Sequence, residues 1–466
     1  MPNNQYGDFQ TPPHLSQKVV ELASRLSHIP ETIIEPTCGV GSIVKAALDA
    51  YPDAAVHGIE IQAEYAEYLK SSLRGRSRLT IHNADYFTFD WDGLIARSHK
   101  PLWILGNPPW VTNTFLAANG SSNLPTKSPQ AGLRGIEAQT GKSNFDISES
   151  MIRDWFSWSA SCNGTLAVIC KQSVARKVLL WWWKAGRRSP AARVHLIDAK
   201  REFGASVSAC VLVCSFAIGS SEQVCDVYSD VDASSPSGRF GYVDGALVSD
   251  ERAYRAGQHL LGAAVPRWRS GIKHDARLAL ELTGTAAEMR TLDGSGVCLE
   301  PSFIYPLRKG SDLKENRSAR SLIVPQMNIS DDRLDLQRLA PRTWSYLQSR
   351  RHIFDARRSV IYKKGGPFSV FGVGPYTFLP WKVAIGALYK ELSFYVIGPE
   401  GGKPVVFDDT VYFLSFHTEE EARKALKRLE HPDVQSFLRS MIFWDDMRPV
   451  KTELLNRLNL NGIELH

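Results

Sequence analysis

The sequence predicts a parallel α/β domain of seven strands, followed by a basic α+β region. Two observations carry this. Short apolar runs alternate with helical patterns through the first half of the chain, as parallel strands joined by helical crossovers require. Beyond that half the composition shifts to Gly-, Ser- and Asp-rich excursions, then to short β-like segments among basic helices. The expected divisions are 1–220, a linker or insert at 221–300, and 301–466. A length of 466 residues allows two or three domains.

Thr32–Glu35 reads as the first strand and Ser42–Ala50 as the helix after it. Ala55–Glu60 and Gln62–Leu73 are the second strand and helix, and Leu79–Asn83 the third strand. Leu102–Gly106 is the fourth strand. Roughly 35 residues rich in Asn, Gly, Ser and Pro follow it, long for an idle connection and suited to a lid or binding loop. Asp146–Ala160 is helical, and Thr165–Cys170, Arg193–Ile197 and Val207–Phe216 complete the seven strands. Trp181, Trp182 and Trp183 fit a buried helix face.

Hydrophobic residues make up 43% and charged residues 22%, ordinary for a globular chain. No apolar run is long enough to span a bilayer, and the start lacks the basic and apolar segments of a signal peptide. The expectation is a cytoplasmic protein without membrane contact. The seven cysteines contain no CxxC pair, and the twelve histidines no HxxxH, so reduced thiols and no metal are expected. Net charge is +6, but residues 1–150 hold 12 Lys/Arg against 15 Asp/Glu, so the rest carries +9. Arg342, Arg350, Arg351, Arg357, Arg358, Lys363 and Lys364 face a single acid, Asp355, within 341–364. A polyanion partner fits that asymmetry, and a merely solvated basic face is the alternative.

The most informative stretch is Asn107-Pro108-Pro109-Trp110, directly after the fourth strand. The exocyclic nitrogen of adenine is a poor nucleophile because its lone pair is delocalised into the ring. An Asn side-chain oxygen and the following Pro carbonyl can each accept one of its hydrogens and localise that lone pair, provided both are rigidly held. Pro108 and Pro109 fix φ and remove competing donors. Trp110 offers a flat stacking face. A strand-ending turn is the plain alternative.

Upstream, Glu35, Pro36, Thr37, Cys38, Gly39 and Gly41 span the passage from first strand to first helix, where the glycines permit a tight turn and close ligand approach. Glu60, followed by Ile61, ends the second strand and suits the hydroxyls of a ribose. Asp85, after the third strand, suits an adenine amino group, and Tyr86 or Phe87 its ring. These ends lie at the carboxyl edge of one sheet, where open α/β sheets bind ligands. No GxxxxGKS/T loop occurs, and Glu35 would repel a pyrophosphate, so S-adenosyl-L-methionine fits better than NAD.

With these motifs in this order the chain resembles the adenine-N6 DNA methyltransferases, specifically the gamma group of TaqI-type modification enzymes. Phe9 to Pro13, including Thr11 and Pro12, resembles the family's methionine-binding segment. Gly141 to Asp146, including Phe145, resembles the segment that closes over the cofactor. Glu202-Phe203 resembles the site whose ring stacks on the flipped base. Phe371–Gly374, Trp381-Lys382 and Asp408-Asp409 look like target-recognition parts. Trp110 departs from the usual Tyr or Phe. The resemblance implies a Rossmann-like S-adenosylmethionine-dependent catalytic domain with a mixed seven-stranded sheet, and a C-terminal α+β target-recognition domain. It implies double-stranded DNA as partner and admits a separate restriction endonuclease or defence partner. Trp110 and Phe203 would sandwich a flipped adenine, and the basic residues of 342–364 would hold phosphates. Protein glutamine-N5 or RNA adenine methylation, and a non-catalytic DNA-specificity subunit, are the alternatives.

Overall fold

The structure, a computed structural model, describes residues 9–110, 146–284, 288–315, 318, 320–327, 334–363 and 366–460. The chain divides into two compact units, Met1–Glu251 and Arg252–His466.

The first unit begins with α1 (Pro13–Ser24), whose N-cap is Pro12 and whose first position is Pro13, the place where a missing N–H costs nothing. The next elements are β1 (Thr32–Glu35), α2 (Ser42–Ala50), β2 (Ala55–Glu60), α3 (Ala63–Ser72), β3 (Leu79–Asn83), α4 (Trp91–Arg97) and β4 (Leu102–Gly106). After these come α5 (Ile147–Ser161), β5 (Thr165–Lys171), α6 (Gln172–Lys184), β6 (Ser189–Ile197), α7 (Ala199–Phe203) and β7 (Ala209–Ser220). Strands β8 (Val224–Tyr228), β9 (Gly238–Val243) and β10 (Ala246–Val248) close the unit.

The sheet runs β10-β9-β8-β6-β7-β5-β4-β1-β2-β3. Strands β3, β2, β1, β4 and β5 are parallel, and β7 enters reversed between β5 and β6. The expected seven strands are therefore a mixed sheet, and three more extend it. β8 pairs parallel with β6, while β9 and β10 add antiparallel hairpins. Residues 221–300 thus contribute strands to this sheet up to Val248, and the second unit begins at Arg252. The outer extension was not visible as periodicity, because β8 to β10 alternate weakly and sit among Gly, Ser and Asp.

β1 and β4 are interior strands and are buried at every position, as expected for strands covered on both faces. Their core includes Ile33, Trp103, Leu105, Val44, Leu69, Ile169 and Val211. The strand order reverses between β1 and β4, because β2 and β3 lie on one side and β5 on the other. The loops leaving these two carboxyl ends diverge, and this opens a crevice at the sheet edge. In α6, Trp182 and Trp183 are buried as the sequence suggested. Trp181 is half-buried, with the guanidinium groups of Arg153 and Arg187 against its ring.

Among the described residues the second unit holds two sheets. One contains β11 (Arg269–Ser270), β17 (Trp381–Gly386), β18 (Tyr395–Ile397) and β20 (Val411–Phe416). The other contains β12 (Glu281–Gly284), β13 (Met289–Thr291), β14 (Gly296–Val297), β15 (Ile304–Arg308), β16 (Arg320–Ile323) and β19 (Val406–Phe407). A core around Leu282, Leu307, Leu322, Phe354 and Phe368 joins the second sheet to the helices at 341–355. Among the described residues no helix is long and apolar enough to cross a membrane.

Candidate active site

The crevice at the carboxyl edge is a cavity with about 1060 Å³ of empty volume, part of it open to solvent. The loops after β1, β2, β3 and β4 line it, together with the segment before α1 and the start of α5. Of the residues expected at the cofactor, Thr11, Glu35, Pro36, Thr37, Cys38, Gly39, Glu60, Ile61, Asp85, Tyr86 and Asn107 line this cavity.

Each loop is locally fixed. Gly39 and Gly41 have φ of +52° and +76°, the left-handed region that side chains avoid. A Cβ on Gly39 would stand 2.8 Å from the Gln10 side chain, so Gly39 keeps the loop close to the N-terminal segment. Gly41 instead packs on Leu69 and caps α2; its role is conformational, and it does not line the cavity. Glu60 accepts from the Gly39 N–H at 2.8 Å and the Gln62 N–H at 2.7 Å, which fixes a carboxylate that lines the cavity. Asp85 accepts from the Phe87 N–H at 2.9 Å.

Glu35 is buried, and its Oε2 has no hydrogen-bond partner. Burial, reinforced by the Glu60 charge, holds its carboxyl well above the usual carboxylate range. The Thr37 hydroxyl is also buried and unpartnered. Two orphaned polar groups in one cavity are anomalous unless a ligand satisfies them. A ligand with a cationic amine and a ribose would do so, and this donor set fits S-adenosyl-L-methionine. Cys38 is buried, which pushes its thiol up and makes it inert.

Asn107 Nδ2 donates to the Phe9 carbonyl at 2.9 Å and to Thr11 Oγ1 at 3.3 Å. That fixes the amide flip and leaves Oδ1 as a buried acceptor with no partner. Pro108 and Pro109 line the cavity beside it. Trp110 is buried among Phe9, at 5.5 Å between ring centroids, and Phe203, at 5.2 Å and 71°. The two rings expected to sandwich a base therefore touch each other edge-to-face here, and contacting rings leave no slot for a third.

Other expected residues stand elsewhere. Tyr86 borders the cavity, but its hydroxyl donates to Asp154 at 3.1 Å and accepts from Trp155 Nε1 at 3.2 Å. It is a buried strut, and half-buried Phe87 is the better-placed ring. Pro12 caps α1, and Asp146 caps α5 while pairing with Lys171 at 2.6 Å; neither lines the cavity. Phe145 lies outside the described residues. Lys171 was missed, since it belongs to no motif and only the fold brings it to the loops, whereas Gln10 lies inside the Phe9–Pro13 segment and accepts from the Val40 N–H at 3.2 Å.

In the second unit Arg357 is a structural residue. Its guanidinium donates to the carbonyls of Phe354, His274, Ser369 and Pro367 and lies over the Tyr362 ring. Burial lowers its pKa. With four of its five N–H groups taken by carbonyls, it is suited to holding the fold rather than a phosphate. Arg342 pairs with Glu300 at 3.1 Å, Arg350 with Asp293 at 3.0 Å and Arg351 with Asp355 at 3.5 Å. Arg351 and Arg358 are exposed. Lys364 and the Lys363 side chain lie outside the described residues. Lys382 is wholly buried on β17 and donates to the Leu379 carbonyl, and burial brings its ammonium down to about 7. Among the described residues no group of His, Cys, Asp and Glu is placed to hold a metal ion.

The chain is 38% identical over 463 residues to the Type II methyltransferase M.NspV of Nostoc sp., covering 98% of this chain and 96% of the relative. The chain belongs to the type II methyltransferases. No family model matches this methyltransferase. A shorter stretch of 97 residues is 31% identical to the release factor glutamine methyltransferase of Vibrio cholerae, covering 21% of the chain and 33% of that protein. Among solved structures the fold is shared with the Type IIL restriction-modification enzyme MmeI, at TM-score 0.55 and 13% identity. That match covers 95% of this methyltransferase and 64% of MmeI.

Proposed function

We propose that this methyltransferase is site-specific for adenine N6 in duplex DNA and serves as the modification component of a restriction-modification or related defence system. One observation carries the reading: Asn107 Oδ1 is a buried acceptor without a partner, on a side chain whose nitrogen is tied down and that lines the cofactor cavity. S-adenosyl-L-methionine supplies an electrophilic methyl group there. Glu35 would face its amino group, Glu60 its ribose and Asp85 its adenine.

The chain's own residues hold the acceptor amine. Asn107 Oδ1 and the Pro108 carbonyl each take one amino hydrogen and draw the nitrogen toward a tetrahedral shape. Positioning supplies much of the acceleration, since oriented encounters contribute about 7–11 kcal/mol. The N–C bond would form as the donor's S–CH3 bond breaks and S-adenosylhomocysteine leaves; the methylated nitrogen is then cationic and acidic, and it loses its proton to water without a strong base. An adenine N6 is unreachable within a paired helix, so the base must rotate out. The contact between Trp110 and Phe203 must then open to admit it. Arg351 and Arg358, both exposed, are suited to phosphates.

A protein-glutamine substrate is the competing reading, and the match with M.NspV disfavours it. That match runs nearly end to end, whereas the release-factor enzyme matches 97 residues. The test is incubation with methyl-labelled cofactor, duplex DNA and cell protein, followed by sequencing of modified bases. N6-methyladenine within one short sequence is expected. Label confined to protein, or methyl groups on cytosine, would sink the reading.

A further inference from the structure

We infer that Lys171 is a positioning residue for the Asn107–Trp110 turn and acts through the Trp110 carbonyl. The inference rests on the reading of that turn as the amine-binding device.

The turn is poorly anchored by its own backbone. Pro108 and Pro109 have no N–H, and among the described residues no backbone–backbone hydrogen bond outside the strands and helices holds residues 107–110. Side chains do the holding. At one end the Asn107 amide grips the Phe9 carbonyl and Thr11. At the other end Lys171 Nζ donates to the Trp110 carbonyl at 3.4 Å.

The placement follows from the register. Gly106, the last residue of β4, pairs with Val168 of the parallel strand β5. Three residues further along β5, Lys171 rises beside the turn that leaves β4. Its ammonium is itself fixed, because it donates to Asp146 Oδ2 at 2.6 Å. The other Asp146 oxygen accepts from the Ser148 N–H at 3.2 Å and the Ser148 hydroxyl at 2.6 Å, which locks it to the start of α5. Asp146 is nine-tenths buried and the Lys171 side chain is 22% exposed, so the pair is largely removed from water.

Two consequences distinguish this residue from a generic ion pair. The Asp146 charge neutralises the ammonium, so no net positive charge is set beside a nitrogen that becomes cationic as it is methylated. A tether on the Trp110 carbonyl also fixes the backbone two residues from the Pro108 carbonyl, one of the two acceptors. A displacement of about 1 Å at such an acceptor is enough for a hundredfold loss.

The test uses the full-length chain with Lys171→Met and Lys171→Arg. Affinity for S-adenosylhomocysteine, melting temperature, kcat and the KM for duplex DNA are measured for each. Lys171→Met is expected to keep cofactor affinity within about twofold and to lose roughly 10- to 100-fold in kcat, with KM little moved. Lys171→Arg, which keeps the positive charge and N–H donors, is expected to recover most of kcat. Because Lys171→Met strands a buried carboxylate, Asp146→Asn/Lys171→Met is added to remove that charge. Melting temperature should recover in the double variant while kcat stays low. Recovery of kcat together with melting temperature would reduce the pair to a stabilising contact and overturn the inference. Undiminished turnover in Lys171→Met would overturn it as well. A wild-type chain that labels no adenine overturns the functional reading and this inference with it, whereas a labelling wild type isolates any failure to Lys171.

Discussion

The Gly39 N–H donates to the Glu60 carboxylate at 2.8 Å, which joins the loop after β1 to the end of β2 in one hydrogen-bonded unit. A side chain at position 39 disturbs both members. Gly39→Ala forces a Cβ to 2.8 Å from the Gln10 amide at a φ of +52°. Left-handed strain of about 1–2 kcal/mol should appear as roughly tenfold weaker S-adenosylmethionine binding, read by calorimetry. Unchanged affinity would show that the loop relaxes freely.

Asn107→Ala removes the acceptor and keeps the cavity walls. Cofactor affinity is expected to survive while methyl transfer falls by two or more orders of magnitude, a size typical of losing one oriented polar group. Single-turnover rates with labelled cofactor measure this. Retained turnover would remove Asn107 from the chemistry.

Glu35 sets a pH dependence. Its folded pKa lies above the ordinary value of 4.5, mainly through burial. A raised carboxyl contributes stability that is fully present below the unfolded pKa and is lost as pH rises through the folded one. Glu35→Gln, which stays neutral, should therefore melt higher than the ligand-free wild type at pH 8, and the gap should close near pH 4. The same variant should bind the cofactor more weakly, because the amine loses its carboxylate. Melting curves across pH check the sign: a gap that widens toward acid would contradict it.

The basic run in the second unit divides by mutation. Arg357→Ala leaves four carbonyls without their donor and should destabilise the fold by roughly 1–3 kcal/mol. It should do little to the salt dependence of DNA binding. Arg351→Ala and Arg358→Ala should do the reverse, each lowering the slope of log affinity against log salt by about 0.9. Fluorescence anisotropy over a salt series, paired with thermal melts, separates the two classes.

The centre of the first unit was legible because its strands are short apolar runs that end on chemistry-bearing residues. Thr32–Glu35, Ala55–Glu60, Leu79–Asn83 and Leu102–Gly106 stand where the sequence put them. Glu35, Glu60, Asp85 and Asn107 converge because each follows or ends such a strand. What escaped depends on contacts between distant segments. The Phe9–Pro13 segment was legible only through its resemblance, because it reaches the loops once α1 packs on α2 and β5. Lys171 reads as an ordinary strand end until β4 and β5 are in register. Arg357 and Arg358 are adjacent and identical in type, yet one is enclosed by carbonyls and the other is exposed, a difference no local pattern encodes.

Strands β8 to β10 also dictate how this enzyme can be dissected. A fragment ended at residue 220 would strip β8 from β6 and bare a rim of unsatisfied amides and carbonyls, the kind of edge through which isolated sheets stick together. Ending it after residue 251 keeps that rim covered, so a soluble N-terminal half is to be sought there.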